Sequence, residues 1–326
     1  MAVPGAQPNS ILNQITSTAS NIVSYLRLPV LASSGIAAVL SGLLYFKQNE
    51  LIYPRNIPLG SRTEVPRPPQ FGITDFEELS IPTPDGESLS AFFIRPSNRS
   101  FANNVTLLMF HGNAGNIGHR LPIARVLEES IGCNVLMLQY RGYGLSTGSP
   151  SEQGLLIDGQ TGLDYLRNRA ETANSKIVIY GQSLGGALSI QLAAKNHAEG
   201  DIAGLILENT FTSMRKLIPS AFPPARYLAR LCHQVWPSET FLPEIESIPI
   251  LFLSGLQDEI VPPSHMRHLY TISRAKTKIW KSFPQGTHND TVAERGYFDA
   301  IAEFIDEHVL LNSRSRRRFS PRPANA

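Results

Sequence analysis

The sequence predicts a mostly parallel, doubly wound α/β sheet, and three observations predict it. Five short apolar runs lack the strict alternation of a half-exposed strand: VTLLMF at 105–110, CNVLMLQY at 133–140, KIVIY at 176–180, IAGLIL at 202–207 and IPILFLS at 248–254. Such runs suit strands buried on both faces. Segments with helical patterning fall between them, near 119–129, 152–168, 184–197 and 262–273, with a last one from about 291 to 309. In a βαβ succession of this kind reactive residues gather in loops beyond the carboxyl ends of the strands, and the polar motifs of this chain fall there.

Taken from the N-terminus, residues 1–27 form a segment ahead of an uncharged run, LPVLASSGIAAVLSGLLYF, from Leu28 to Phe46. That run is about as long as the ~20 residues needed to cross a hydrocarbon core, so a single transmembrane helix is expected at 28–46. Arg27 and Lys47 bracket it, and Tyr45 with Phe46 supplies the aromatic anchor of a spanning helix. The expected membrane is that of the endoplasmic reticulum or the cell surface. Lys47, Arg55 and Arg62 favour a cytosolic C-terminal domain, whereas glycosylation sequons at Asn98, Asn104 and Asn289 could be used only in a lumenal one, so the side stays open.

Prolines 54, 58, 66, 68 and 69 forbid a regular helix, and residues 47–72 are expected to form an extended spacer. A domain spanning 73–310 then opens with two strands, Phe76 to Ile81 and Leu89 to Ile94, joined by the turn Thr83-Pro84-Asp85-Gly86. Residues 210–243, rich in aromatic residues and prolines, read either as a small lid over the site or as ordinary surface helix. Residues 311–326 form a basic tail holding Arg314, Arg316, Arg317 and Arg318, expected to be disordered.

Composition narrows the function. With 326 residues, 42% of them apolar, the chain can bury a full core, and a formal charge of +2 gives no reason to expect a nucleic-acid partner. The two cysteines, Cys133 and Cys232, are far apart, and neither a disulfide framework nor a zinc site is readable.

The chemistry is carried by loops at strand ends. KIVIY runs into Gly181-Gln182-Ser183-Leu184-Gly185-Gly186 and then into the apolar helix ALSIQLAAK, which places Ser183 at the apex of a sharp strand-to-helix turn. Glycines two before and two after the serine let helix and strand pass closely and leave the hydroxyl exposed at a helix N-terminus. A serine hydroxyl needs a base, and His288 follows the strand WKSF through Pro284-Gln285-Gly286-Thr287. Imidazole in turn needs a group that fixes its tautomer, and Asp258 sits just past the strand at 248–254. Glu259 beside it and Glu208 in LILENTF compete for that role. The backbone amides of Leu184 and of Asn113, in the loop Phe110-His111-Gly112-Asn113-Ala114-Gly115-Asn116, are the candidate donors for an oxyanion. That loop lacks both the Gly-Lys-Ser/Thr ending and the G-x-G-x-x-G spacing of a nucleotide site.

With these residues assembled, the chain resembles the α/β-hydrolase superfamily, and within it the group that includes α/β-hydrolase domain-containing protein thirteen and the fungal bud-emergence proteins. The resemblance covers roughly residues 40–310 and rests on HGNAGNIGHRLP from His111, YRGYGLSTG from Tyr140, GQSLGGA from Gly181, LENTF from Leu207 and PQGTHNDT from Pro284. It implies the α/β-hydrolase fold with a small lid, an N-terminal membrane anchor, and Ser183, Asp258 and His288 as a triad, with His111, Gly112, Gly181 and Gly185 supporting it. It further implies a serine hydrolase without metal or cofactor, acting on an acylated protein, as a palmitoyl-protein thioesterase does, or on a small acyl ester or lipid. The alternative is a catalytically silent, membrane-tethered scaffold that keeps the fold.

Overall fold

Strands that are apolar throughout become the centre of the sheet. The computed structural model describes residues 45–98, 102–221, 226–227 and 229–310, with a few isolated positions between 35 and 42. Of the two units into which the chain divides, Met1–Gln48 and Asn49–Ala326, the second holds the sheet. Its strands are β1 (Phe76–Pro82), β2 (Ser88–Ile94), β3 (Val105–Phe110), β4 (Asn134–Leu138), β5 (Lys176–Gln182), β6 (Ile202–Glu208), β7 (Ile250–Gly255) and β8 (Lys278–Phe283), in the order β1-β2-β4-β3-β5-β6-β7-β8. The pairs β1/β2 and β2/β4 are antiparallel and the remaining pairs parallel. This is the mostly parallel, doubly wound sheet expected of the α/β-hydrolase fold.

All six residues of β3 are buried, because successive side chains enter different cores. Leu108 and Phe110 pack with Leu136 and Leu138 of β4 in one layer, against α2 (Glu152–Asn168) and α3 (Leu184–Asn196) through Leu155, Leu163 and Leu188. Leu107 and Met109 pack with Val135 and Met137 in the other, against α1 (Leu121–Val126) and α7 (Tyr297–Phe304) through Leu121, Ile301 and Phe304. Each fully buried aliphatic or aromatic side chain contributes about 1.5–3 kcal/mol, so both layers are needed to hold the sheet.

Two expected helices are composite. The segment near 119–129 is a 3-10 turn at Ile117–Arg120, then α1, then a π turn at Leu127–Ile131. The segment near 291–309 is interrupted where Gly296 takes φ 86°: a 3-10 turn at Thr291–Ala293 precedes the glycine, α7 follows it, and a π turn at Ile305–Leu310 ends the described chain. Periodicity alone does not reveal the left-handed residue that breaks the helix.

The spacer expectation for 47–72 is corrected. From Asn49 onward this segment belongs to the sheet-bearing unit and lies on it as a strap. Its prolines do exclude a long helix, but Ile52 and Tyr53 bury their side chains, and its free carbonyls accept from loop side chains. Asn116 Nδ2 donates to the carbonyls of Ser61 and Glu64 at 3.0 and 2.9 Å, and Arg62 Nη1 donates to those of Gly144 and Ser146 at 2.9 and 3.2 Å.

Residues 210–243 contain α4 (Met214–Ala221) and α5 (Ser238–Phe241), with 222–225 and 228 outside the described residues. A further helix, α6 (Pro263–Ile272), follows β7. The return limb is fastened at fully buried Trp236, whose Nε1 donates to Tyr53 Oη at 3.0 Å while Tyr53 donates to Gln234 Oε1 at 2.8 Å. Glu152, at the start of α2, accepts from the amides of Val235 and Trp236 at 2.6 and 2.8 Å.

Residues 1–27, most of the expected transmembrane helix at 28–46, and the basic tail at 311–326 lie outside the described residues. Among the described residues no helix is long and apolar enough to cross a membrane. The sequon asparagines Asn98, Asn104 and Asn289 are exposed, although Thr291 of the last sequon is buried.

The clasp of Tyr53, Gln234 and Trp236 gives a stability prediction. Tyr53→Phe keeps the ring but strands the buried indole N–H of Trp236 and leaves Gln234 Oε1 with the Glu152 amide as its remaining donor, which costs about 1–3 kcal/mol. Denaturant unfolding of the variant should show a lower midpoint at unchanged m-value, and an unchanged midpoint would mean that the strap adds nothing to stability.

Candidate active site

Between β5 and α3 the chain turns at Ser183 with φ 53° and ψ −115°, a conformation that L-residues avoid. What holds it is the closeness of its neighbours. A Cβ on Gly185 would lie 2.3 Å from the carbonyl oxygen of Phe110 and 2.7 Å from that of His111, so only glycine lets the first turn of α3 sit against the end of β3. The Ser183 amide donates to Glu208 O at 2.8 Å and Thr210 Oγ1 donates to Ser183 O at 2.7 Å, pinning the apex to the end of β6.

His288 reaches this serine from the loop after β8. Its Nε2 accepts from Ser183 Oγ at 3.1 Å, and its Nδ1 donates to Asp258 Oδ2 at 2.8 Å. Asp258 is held in turn, because Oδ1 accepts from the amides of Ile260 and Val261 at 2.9 and 2.7 Å. The structure thus brings Ser183, His288 and Asp258 into one chain of hydrogen bonds at the carboxyl edge of the sheet. All three are at least nine-tenths buried, at 6, 6 and 7% exposure, so the chain is shielded from competing water.

The two competing carboxylates are elsewhere. Among the described residues Glu259 Oε2 accepts only from the backbone amide of His288, at 3.3 Å. Glu208 is fully buried below the loop, where it accepts from the hydroxyls of Tyr180 and Tyr297 and more weakly from Gln182 Nε2 at 3.4 Å. Burial pushes its carboxyl above the usual carboxylate range. Glu208 therefore underpins the floor of the site while Asp258 faces the imidazole.

The loop after β3 is fixed from both sides. Asn113 Nδ2 donates to Ile52 O of the strap at 3.1 Å, Tyr143 Oη donates to Asn113 O at 2.7 Å, and the Gly115 amide donates to Ile57 O at 2.7 Å. Behind it, His111 Nδ1 donates to Gly112 O at 2.7 Å, Nε2 accepts from Gln139 Nε2 at 2.8 Å, and Tyr140 Oη donates to His111 O at 2.7 Å. Burial, joined by the charge of Arg120, pushes His111 down to about 3, so it is a neutral strut. Among the described residues the amides of Asn113 and Leu184 donate to no turn or loop carbonyl. Two donors on rigid supports beside a serine hydroxyl can receive a developing oxyanion.

Several supporting residues escaped the reading of the sequence. Asn209, at φ 44°, donates through Nδ2 to the carbonyls of Thr287 and His288 at 3.2 and 3.3 Å and accepts from the Gly255 amide at 2.8 Å, tying the histidine loop to the end of β7. Asn209, Tyr140, Tyr143 and Arg120 all lie inside LENTF, YRGYGLSTG and HGNAGNIGHRLP. Their presence in loops at strand ends was the available signal; what each one touches was not.

Comparison with known proteins bears on this arrangement. A family model described as serine aminopeptidase, S33 (Hydrolase_4) matches residues 102–247. The chain is 45% identical to protein bem46 of Schizosaccharomyces pombe, over 90% of this chain and 97% of that one. It is 42% identical to an uncharacterized membrane protein of Saccharomyces cerevisiae, over 81% of this chain and 90% of that one. Among solved structures it is similar to an α/β hydrolase of Vibrio vulnificus at a TM-score of 0.65 with 20% identity, covering 78% of this chain and 91% of that one, a likeness of fold.

The placement of the two carboxyls separates their roles by experiment. Asp258→Asn should lower turnover by about 10⁴-fold through the wrong imidazole tautomer, whereas Glu208→Gln should lower it far less. Because the folded state raises the Glu208 pKa, its stabilising contribution is full below the ordinary carboxylate range and is lost as pH rises through the raised value. Stability measured against pH should therefore move in favour of Glu208→Gln as pH rises, and parallel curves for the two proteins would contradict this.

Proposed function

Since the chain belongs to the bem46 family of α/β-hydrolases, we propose that it is a membrane-anchored serine hydrolase that cleaves an ester or thioester through an acyl-enzyme. The observation that carries the reading is the continuous hydrogen-bonded path from Ser183 Oγ to His288 Nε2 and from His288 Nδ1 to Asp258. A hydroxyl already hydrogen-bonded to a neutral imidazole can lose its proton as it attacks, and the aspartate stabilises the imidazolium that results.

The steps follow from these positions. Ser183 Oγ adds to the substrate carbonyl as His288 Nε2 takes its proton, and the oxyanion is received by the amides of Leu184 and Asn113. The tetrahedral intermediate then expels the alcohol or thiol, which takes the proton from His288. Water enters, loses a proton to His288 and adds to the acyl-enzyme, and collapse returns that proton to Ser183 and frees the carboxylic acid. No step calls for a metal or an organic cofactor.

For the substrate, an acylated protein or a small acyl ester or lipid fits a chain carrying the apolar run at 28–46, since membrane anchoring holds an enzyme beside acyl chains. The Saccharomyces cerevisiae relative is named a membrane protein, which supports the anchor.

Labelling of membrane fractions with a fluorophosphonate probe tests the reading directly. The wild-type chain should label and Ser183→Ala should not. Properly folded wild type that fails to label would overturn the hydrolase reading in favour of a tethered scaffold. Turnover of matched oxyesters, thioesters and aminoacyl anilides would then separate an acyl hydrolase, which should favour the first two, from a peptidase.

A further inference from the structure

Arg120 is the arginine without a counterion beside the nucleophile. Arg95, Arg141, Arg167 and Arg169 each close on carboxylates. Arg120, which ends the 3-10 turn after the His111–Asn116 loop, does not: among the described residues its side chain makes no hydrogen bond or ion pair, and its Nε is buried with nothing to donate to.

Its guanidinium lies near Gly112. A Cβ built on that glycine would lie 3.8 Å from Ser183 Cβ, 3.9 Å from Gln182 Oε1 and 4.0 Å from Arg120 Nη2. Ser183 Cβ and Arg120 Nη2 thus flank the same face of Gly112, less than about 8 Å apart, where the glycine itself places no side chain. The positive charge is felt by the groups around that face. Besides burial, it helps hold His111 and His119 neutral, and it acts on the buried carboxyl of Glu208. Glu208 feels the charge but makes no hydrogen bond or ion pair with the guanidinium, its carboxyl accepting instead from the hydroxyls of Tyr180 and Tyr297.

A guanidinium is a fork of donors with no acceptor, and one that is partly desolvated and unpaired is unfavourable until an oxyanion meets it. Charged hydrogen bonds of this type are the strong ones, and the fork selects planar carboxylate or tetrahedral phosphate oxygens over neutral groups.

We propose that Arg120 is an anion-recognition residue of the substrate site, holding a carboxylate or phosphate that the substrate carries within a few bonds of the carbonyl attacked by Ser183. This rests on Ser183 being the nucleophile. It narrows the substrate from any acyl ester to one charged close to the scissile bond, on either the acyl side or the leaving-group side.

Binding tests this without turnover. The full chain carrying Ser183→Ala, in neutral detergent, is titrated calorimetrically with two matched pairs. Monomethyl glutarate against dimethyl glutarate puts the charge on the acyl side, and 1-butanoylglycerol 3-phosphate against 1-butanoylglycerol puts it on the alcohol side. In at least one pair the charged ligand should bind about tenfold or more tightly than its neutral partner, the scale of one charged hydrogen-bond pair. Adding Arg120→Gln should erase that preference, and Arg120→Lys, which keeps the charge without the fork, should retain part of it. No preference in either pair, no saturable binding of either charged ligand, or an equal loss for charged and neutral ligands in Arg120→Gln would overturn the proposal. Failure of the fluorophosphonate labelling would remove the nucleophile reading alone, because the titrations need no reaction.

Discussion

Everything at the catalytic edge depends on one unfavourable backbone conformation being enforced. Ser183 sits at φ 53° because the first turn of α3 is pressed against the carbonyls at the end of β3, and a side chain at position 185 would forbid the contact. Strain of this kind, of order 1–3 kcal/mol, persists only where the surroundings over-determine it. Here the surroundings are two central strands, β3 and β5, packed in register on both faces of the sheet. The position of the serine is in that sense a property of the whole core.

The remaining groups reach the serine from separate loops, and each loop is tied to a strand end rather than left to find its place. Asn209 binds the histidine loop to β7, Asp258 is oriented by the amides that follow it, and the loop carrying Asn113 is bound on one side by Tyr143 and on the other by Ile52 and Ile57 of the strap. Preorganised dipoles stabilise charge without having to reorient while it forms, so these ties matter for chemistry as much as for stability.

The sequence made some of this legible and hid the rest for physical reasons. The central strands could be read because burial on both faces leaves an unbroken apolar run, as in VTLLMF. Ser183 and His288 could be read because a nucleophile elbow demands glycines and a base demands a histidine at a strand end. The choice between Asp258, Glu259 and Glu208 was left open by spacing, because all three follow strand ends; the tyrosines that occupy Glu208 come from β5 and α7, distant in the chain. The strap was misread because proline content reports what backbone a segment cannot form, not what it lies against. Arg120 could be placed in a loop after a strand end and no further, since the absence of a partner is visible only once every neighbour has been placed.

The strap also decides where the chain can be divided. A fragment beginning at β1 would look complete by its strands, yet it would leave Trp236 without Tyr53 and the loop around Asn113 without the carbonyls of Ile52 and Ile57. The unit that carries the active edge begins at Asn49, so a division that keeps these bonds has to fall ahead of the strap. A change in the residues that follow the apolar run is then also a change at the catalytic edge, so this stretch should resist the insertions and deletions that linkers ordinarily tolerate.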